Sequence, residues 1–331
     1  MTVTIYDVAR EAKVSMATVS RVLNGNPNVK PETRKKVKEV IKRLNYRPNA
    51  IARGLASKKT TTVGVIIPDI SNLYYSSLAR GLDDIAEMYN YQTIITNTDN
   101  NPEKERDSFL NLVSKQVDGI VFLGGTINDE TIEDIKNSNV PVVICGTSEK
   151  DANLPSVNID YFKAIKEVAT HLLDKGAKDI YFIKALYSEQ LERHIEDGLK
   201  EAYKEYDLPF KEEYTREVAT HYHAGREVFD RLIDEDDNVD VLLTMSDEAA
   251  VGMLHGALDR GISFPNRLQL VSCSNTRLVH MMRPPVTSIA IPLYDIGAVG
   301  MRLLTKYMKD EPVDEPNVIL PYAIEYRAST K

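Results

Sequence analysis

The chain has 331 residues, 43% hydrophobic and 27% charged, with 41 basic against 49 acidic side chains. That composition excludes a disordered or fibrous protein and suits a globular one long enough for more than one domain. No apolar run reaches the roughly 18 residues of a membrane span, the polar start does not read as a signal peptide, and two cysteines build no disulfide framework, so a cytoplasmic setting is expected.

Charge is unevenly placed. Residues 1–60 hold 14 Lys and Arg against 4 Asp and Glu, whereas the rest of the chain holds 27 against 45. A basic head on an acidic body suits polyphosphate binding, with contact confined to the head. Within it, the residues from Asp7 to Val22 read as two short helices around a three-residue turn, the spacing of a helix-turn-helix DNA reader. Thr4 is placed to cap the first helix and Asp7 sits near its positive end, while Val8, Ala9 and Ala12 form one small apolar face. Lys13 and Val14 make the turn, with Val14 placed to plug the gap between the helices. Ser15 is a good N-cap for the second helix, in which Val19, Val22 and Leu23 face inward and Met16, Ala17, Ser20 and Arg21 face outward. Arg21 has the fork geometry for a guanine edge. An ordinary amphipathic helical hairpin has the same spacing.

A third helix is expected from Pro31, with Val37, Val40, Ile41 and Leu44 as its apolar stripe, Lys35, Lys36, Lys38, Lys42 and Arg43 on its other faces, and Asn45 as its stop. The connector then restarts at Tyr46, and residues 50–56 have helical composition around Gly54. Such a short helix is unstable alone, but two copies on DNA can order each other, with Leu55 as an apolar wedge for the minor groove. A plain flexible linker fits the composition equally well.

The stretch from Thr4 to Ala9, then Val19-Ser20-Arg21-Val22, and Arg47-Pro48-Asn49-Ala50-Ile51-Ala52-Arg53-Gly54-Leu55 resembles the head and hinge of the LacI/GalR family of bacterial repressors. Closer still is the branch serving carbon catabolite control, through Val65-Ile66-Ile67-Pro68-Asp69-Ile70-Ser71-Asn72, Lys115-Gln116-Val117-Asp118-Gly119-Ile120 and the segment from Tyr294 to Met308. The resemblance implies a dimer on a palindromic operator. Its DNA contacts would come from Thr4, Tyr6, Ser15, Met16, Ala17, Ser20, Arg21, Asn28 and Tyr46, and from hinge residues Asn49, Ala52, Leu55 and Ala56.

Beyond the head, apolar runs at 62–67, 92–96, 119–122, 142–145, 180–183, 241–244 and 270–273 alternate with amphipathic stretches such as 74–89 and 103–116. Regular β-α alternation predicts parallel sheets covered by helices. The fold class is therefore an all-α helix-turn-helix head (1–46) and hinge (47–61), followed by an α/β core. The resemblance makes that core a periplasmic-binding-protein-like pair of lobes, 62–160 with 291–320 and 161–290 with 321–331. Ligands of such folds sit at the carboxyl ends of strands, in the interlobe cleft. Candidates there are Asp160, Asp247 and Asn275, residue types equally at home as helix caps or turn formers. Sugar- and purine-binding relatives carry an Asp where Ser274 stands and an Arg shortly before the glycine equivalent to Gly198; here that approach reads Arg193-His194-Ile195-Glu196-Asp197. Both departures weaken the case for a small effector.

The branch resembled here takes a protein corepressor, the phosphocarrier HPr phosphorylated on a serine. Arg302 and Lys306, at i and i+4 of one helix, can face a single phosphate. Tyr294 and Asp295 lie near the start of that helix, and Asp69 and Asp99 at strand ends can meet cations of the partner. A solvated basic patch is the bland alternative. Sugar phosphates are expected at most as secondary effectors, and release from DNA by a bound sugar is the rival mode. A ligand-binding receptor without DNA activity fits the basic head poorly.

No Gly-rich phosphate loop, Gly-x-Ser-x-Gly elbow or His-Glu-x-x-His pair occurs, so neither an enzyme nor a cofactor is expected. His221 and His223 alternate on a possible strand without a third ligand, so no metal is expected either. After the last strand comes no heptad repeat, so a dimer rather than a tetramer is expected.

Overall fold

The computed structural model describes residues 3–23, 25–46, 59–125, 127–146, 154–185, 189–235 and 238–331. It divides into two compact units, Met1–Thr60 and Thr61–Lys331.

In the first unit, α1 (Ile5–Ala12), α2 (Met16–Leu23) and α3 (Pro31–Arg43) enclose a small core of Val8, Ala12, Val19, Val22, Val37 and Val40, with Val14 packed against it. Lys13 adopts φ 54° to close the first helix, and Asn45 adopts φ 49° just past the third, the left-handed stops that end helices. Arg43 on α3 is tied to Glu11 on α1 at 2.8 Å.

The second unit opens with β1 (Thr62–Ile67), α4 (Leu73–Met88), β2 (Gln92–Asn97), α5 (Pro102–Ser114), β3 (Gly119–Leu123), α6 (Asp129–Asn137), β4 (Val142–Cys145) and β5 (Ser156–Asn158). A second run follows: α7 (Tyr161–Asp174), β6 (Ile180–Ala185), α8 (Glu189–Glu205), β7 (Thr215–Val218), α9 (Tyr222–Glu235), β8 (Val241–Thr244), α10 (Asp247–Asp259), β9 (Gln269–Ser272), α11 (Arg277–Met281) and β10 (Thr287–Ala290). The chain closes with α12 (Leu293–Met308), β11 (Asn317–Ile319) and β12 (Ala323–Glu325).

The strands form two sheets, ordered β11-β5-β4-β3-β1-β2 and β12-β10-β9-β8-β6-β7. The first is parallel throughout, and in the second only β12 runs antiparallel, beside β10. Both share one doubly wound order with a late strand added at the far edge, so the chain passes between sheets after β5, after β10 and after β11. Strand periodicity builds the layers: Val63, Val65 and Ile67 face Tyr74, Leu78 and Leu82 of α4, while Ile66, Ile120 and Phe122 face Phe109 and Leu112 of α5. Helix α12 lies against α4 with backbones nearly touching. A Cβ at Gly81 would stand 1.9 Å from the Tyr294 carbonyl oxygen, and one at Gly297 would stand 1.9 Å from that of Leu78.

Some local expectations fail. Residues 221–223 are not a strand: Tyr222 begins α9, and His221 Nδ1 accepts the Ala224 amide at 3.3 Å. A three-residue alternation is too short to exclude a helix start. The short strands β5, β7, β10, β11 and β12 have no counterpart among the apolar runs, because they are held by neighbours distant in sequence. Among the described residues no helix is long and apolar enough to cross a membrane.

Candidate nucleic-acid interface and regulatory face

The exposed face of the head is built by its caps. The Asp7 carboxylate accepts the Thr4 amide at 3.0 Å and the Thr4 hydroxyl at 2.7 Å, and Arg10 joins it at 2.7 Å. These donors hold the Asp7 carboxyl below its ordinary range, Thr4 contributing most. Ser15 Oγ accepts the Thr18 amide at 3.2 Å, so α2 starts where predicted. From that start Val19 and Val22 turn inward, while Met16, Ala17 and Arg21 stay exposed and Ser20 half-exposed. Tyr6 is 66% exposed, Thr4 and Asn28 are exposed, and Tyr46 packs against the head core. The basic side chains divide into two sets. Arg10, Arg34 and Arg43 are held by Asp7, the Asn26 carbonyl and Glu11, whereas among the described residues nothing holds the Arg21 guanidinium. The result is an exposed face of small side chains with one unengaged fork, a shape that enters a major groove. Asn49, Ala52, Leu55 and Ala56 lie outside the described residues.

The interlobe cleft is different. A cavity of about 310 Å³ lies between the exit of β1 (Ser71, Asn72, Tyr74) and the exits of β8 and β9 (Ser246, Asp247, Arg277). Most of its polar groups are engaged within the protein, whereas Arg277 is exposed and nothing holds its guanidinium among the described residues. Asn72 caps α4 through the Tyr74 amide at 2.9 Å, Ser246 caps α10 through the Ala249 amide at 3.1 Å, and Ser274 Oγ donates to the Met245 carbonyl at 2.6 Å. The Asp247 carboxylate accepts the Ser272 hydroxyl and the Thr276 amide, the latter at 2.6 Å, and burial pushes its carboxyl up despite those donors. Burial likewise raises the neighbouring Cys273 thiol, and that of Cys145 to about 12, so neither is a thiolate. Asn275, at φ 52°, accepts Arg327 at 2.7 Å and donates to Glu325 at 3.3 Å. Asp160 caps α7 through the Lys163 amide at 2.9 Å and borders a second cavity of about 390 Å³ with Asn158, Tyr161 and His194.

Helix α12 carries the third group. Arg302 and Lys306 lie exposed, one turn apart, and no partner holds either among the described residues. Tyr294 and Asp295 are exposed two turns earlier. The Tyr294 hydroxyl donates to Asp84 at 3.0 Å, which raises its pKa, and Arg80 reaches Asp84 at 2.8 Å, a clasp between α4 and α12 that spacing alone did not suggest. Asp69 and Asp99 sit at the exits of β1 and β2. Asn97 joins them: its Oδ1 accepts the Ile70 amide at 2.9 Å and its Nδ2 donates to Asp99, which also holds Lys104 at 2.7 Å. Asp69 accepts the Ser71 amide at 2.8 Å. Contacts near Gly300 with Cys145, and near Gly119 with Leu304, show α12 running antiparallel to the strands.

Residues 4–49 match the family of bacterial regulatory proteins, lacI family, and residues 60–317 match the periplasmic binding proteins and sugar binding domain of LacI family. The chain belongs to the LacI family. It is 60% identical over 331 residues to catabolite control protein A of Staphylococcus xylosus and 59% identical to that of Staphylococcus aureus (strain Mu50 / ATCC 700699), with 100% of both chains covered in each case. The crystal structure of transcription regulator CcpA of Lactococcus lactis matches with TM-score 0.77 and 38% identity, over 82% of this chain and 99% of that one. The lac repressor dimer bound to operator and the anti-inducer ONPF shares the fold, at TM-score 0.88 and 23% identity over 100% of this chain and 99% of that one. The chain is thus a DNA-binding transcription regulator of catabolite control protein A type, and its relatives are regulators rather than enzymes.

Proposed function

We propose that the protein binds palindromic operators as a dimer to regulate carbon catabolism in the cytoplasm, and that serine-phosphorylated HPr raises its affinity for them. The observation that carries the corepressor part is the pair Arg302 and Lys306, unpartnered among the described residues on the exposed face of α12. Two cations one turn apart without a carboxylate between them suit one phosphate, and full-length 60% identity to catabolite control protein A supports that use. Asp295, Asp69 and Asp99 supply carboxylates for cationic residues of the same partner.

In this reading each head covers one half-site through Met16, Ala17, Ser20 and Arg21, and two heads at fixed spacing give the affinity one lacks. Residues 47–61 of two copies pair and fold on the DNA, with Leu55 entering the minor groove. Corepressor acts by binding one lobe arrangement better than the other. A second reading, control by a sugar or sugar phosphate, is favoured by the 310 Å³ interlobe cavity and disfavoured by the internal engagement of Asp247 and Ser274.

Titration of an operator duplex with the purified protein separates the two. Serine-phosphorylated HPr should tighten binding, and Arg302→Ala should reduce that tightening about tenfold while leaving HPr-free DNA affinity unchanged. Loosening by free sugar, with indifference to HPr, would refute the first reading.

A further inference from the structure

Helix α3 of the head carries a basic surface of its own. Val37, Val40, Ile41 and Leu44 turn its inner side to the core shared with α1 and α2. At about 100° per residue, Lys35, Lys38 and Lys42 centre roughly 140° away from that side, so they face outward in a row about 10 Å long. All three are exposed, and among the described residues nothing holds any of them. Helices packed around one core turn their outer sides in different directions, so a duplex seated on the exposed face of α2 does not lie along this row.

The three lysines border an open groove of about 600 Å³, which continues to Pro27, Val29 and Pro31 at the loop end of α3. Val29 is buried in the head core, while both prolines are exposed. The loop is tied down: Arg34 donates to the Asn26 carbonyl, and Asn26 Oδ1 accepts the Asn28 amide at 2.9 Å. The groove is therefore preformed, apolar at one end and cationic along the rest. Glu39, the one carboxylate lining it, stands a single turn from Lys35 and from Lys42. Phosphates gain nothing from an apolar floor and are repelled by Glu39. A protein segment uses both ends, resting an apolar side chain on the prolines and setting carboxylates against the lysines.

We infer that the outer groove of α3 docks an acidic amphipathic helix of a protein partner. An aliphatic side chain of that helix rests on Pro27 and Pro31, and its carboxylates meet Lys35, Lys38 and Lys42. With α2 on the operator, the head holds this partner beside the DNA. That placement rests on the reading that α2 faces the duplex, whereas the docking itself does not.

The test uses the full chain and two fluorescein-labelled synthetic helices, each with glutamates at the spacing of the lysines. One carries two leucines in its first turn and the other two serines. The leucine helix should bind at least about tenfold tighter, the worth of two half-buried leucines. Lys35→Gln, Lys38→Gln and Lys42→Gln together should weaken it about tenfold, the sum of three exposed ion pairs. The same variant should keep operator affinity within about twofold, and saturating operator should leave the leucine helix bound as tightly as before. Equal binding of the two helices, binding of neither, or indifference to the lysine replacements would overturn the docking. So would displacement of the helix by operator, or a salt slope of operator binding lowered by about 2.7, either of which assigns the lysines to phosphates. If Arg21→Ala leaves operator affinity unchanged, the reading of α2 fails by itself, and the two helices still judge the groove.

Discussion

The exposed face of α2 and the buried part of the interlobe cleft both gather polar side chains, yet they are in opposite states. On α2 Met16, Ala17 and Arg21 are exposed, and Arg21 is engaged by nothing among the described residues. In the cleft Asp247, Ser274 and Asn275 are each tied to a neighbour, and Asp247 and Ser274 are buried. A side chain left open at a surface is available to a ligand, whereas a buried one with its bonds complete holds up the site around it. The contrast predicts that substitutions in the cleft act first on stability and those on the head act first on DNA.

The largest effect is expected at Asp247. Asp247→Ala strips the acceptor from the Ser272 hydroxyl and the Thr276 amide, two buried donors, and should cost about 3 kcal/mol of core stability by denaturant unfolding. A change in DNA affinity without loss of stability would break the contrast from that side. Arg21→Ala should do the reverse, costing about 2 kcal/mol in operator affinity and relaxing preference at one guanine, with an unchanged unfolding midpoint. An operator gel-shift series with single base changes checks it.

Smaller effects sharpen the head's side of the comparison. Ser15→Ala removes the cap of α2 and should destabilise the head by about 1 kcal/mol, seen as faster amide exchange in residues 16–23. Asp7 is the weakest lever. Its folded pKa is depressed by Thr4 and Arg10, so its stabilising contribution is present above the ordinary value of 3.8 and disappears as pH falls through the lower folded value. Head amides of the parent should therefore lose protection relative to Asp7→Asn on going from pH 5 to below that value. Equal loss in both proteins would remove Asp7 from the account.

The same contrast governs what could be read from sequence. The head was legible because its logic is local: a cap at Ser15, apolar residues at helical spacing and a turn at Lys13 all lie within sixteen residues. Strands β1, β3 and β4 were legible as unbroken apolar runs. Strand β7, Thr-Arg-Glu-Val, was not, since it owes its pairing to β6 rather than to its own composition. The fate of Asp247 was hidden for the same reason: its partners stand 25 and 29 positions away. A contact between the Tyr74 and Tyr161 hydroxyls spans 87 positions and leaves no trace in spacing.

The central claim is that operator recognition resides in the basic amino-terminal unit. It is tested most directly by comparing operator binding of the full chain with that of residues 61–331 at one fixed salt concentration. The account predicts that the shorter protein stays folded and loses at least about a thousandfold in operator affinity, to the level of non-specific DNA. Retention of sequence-specific binding by residues 61–331 would contradict it.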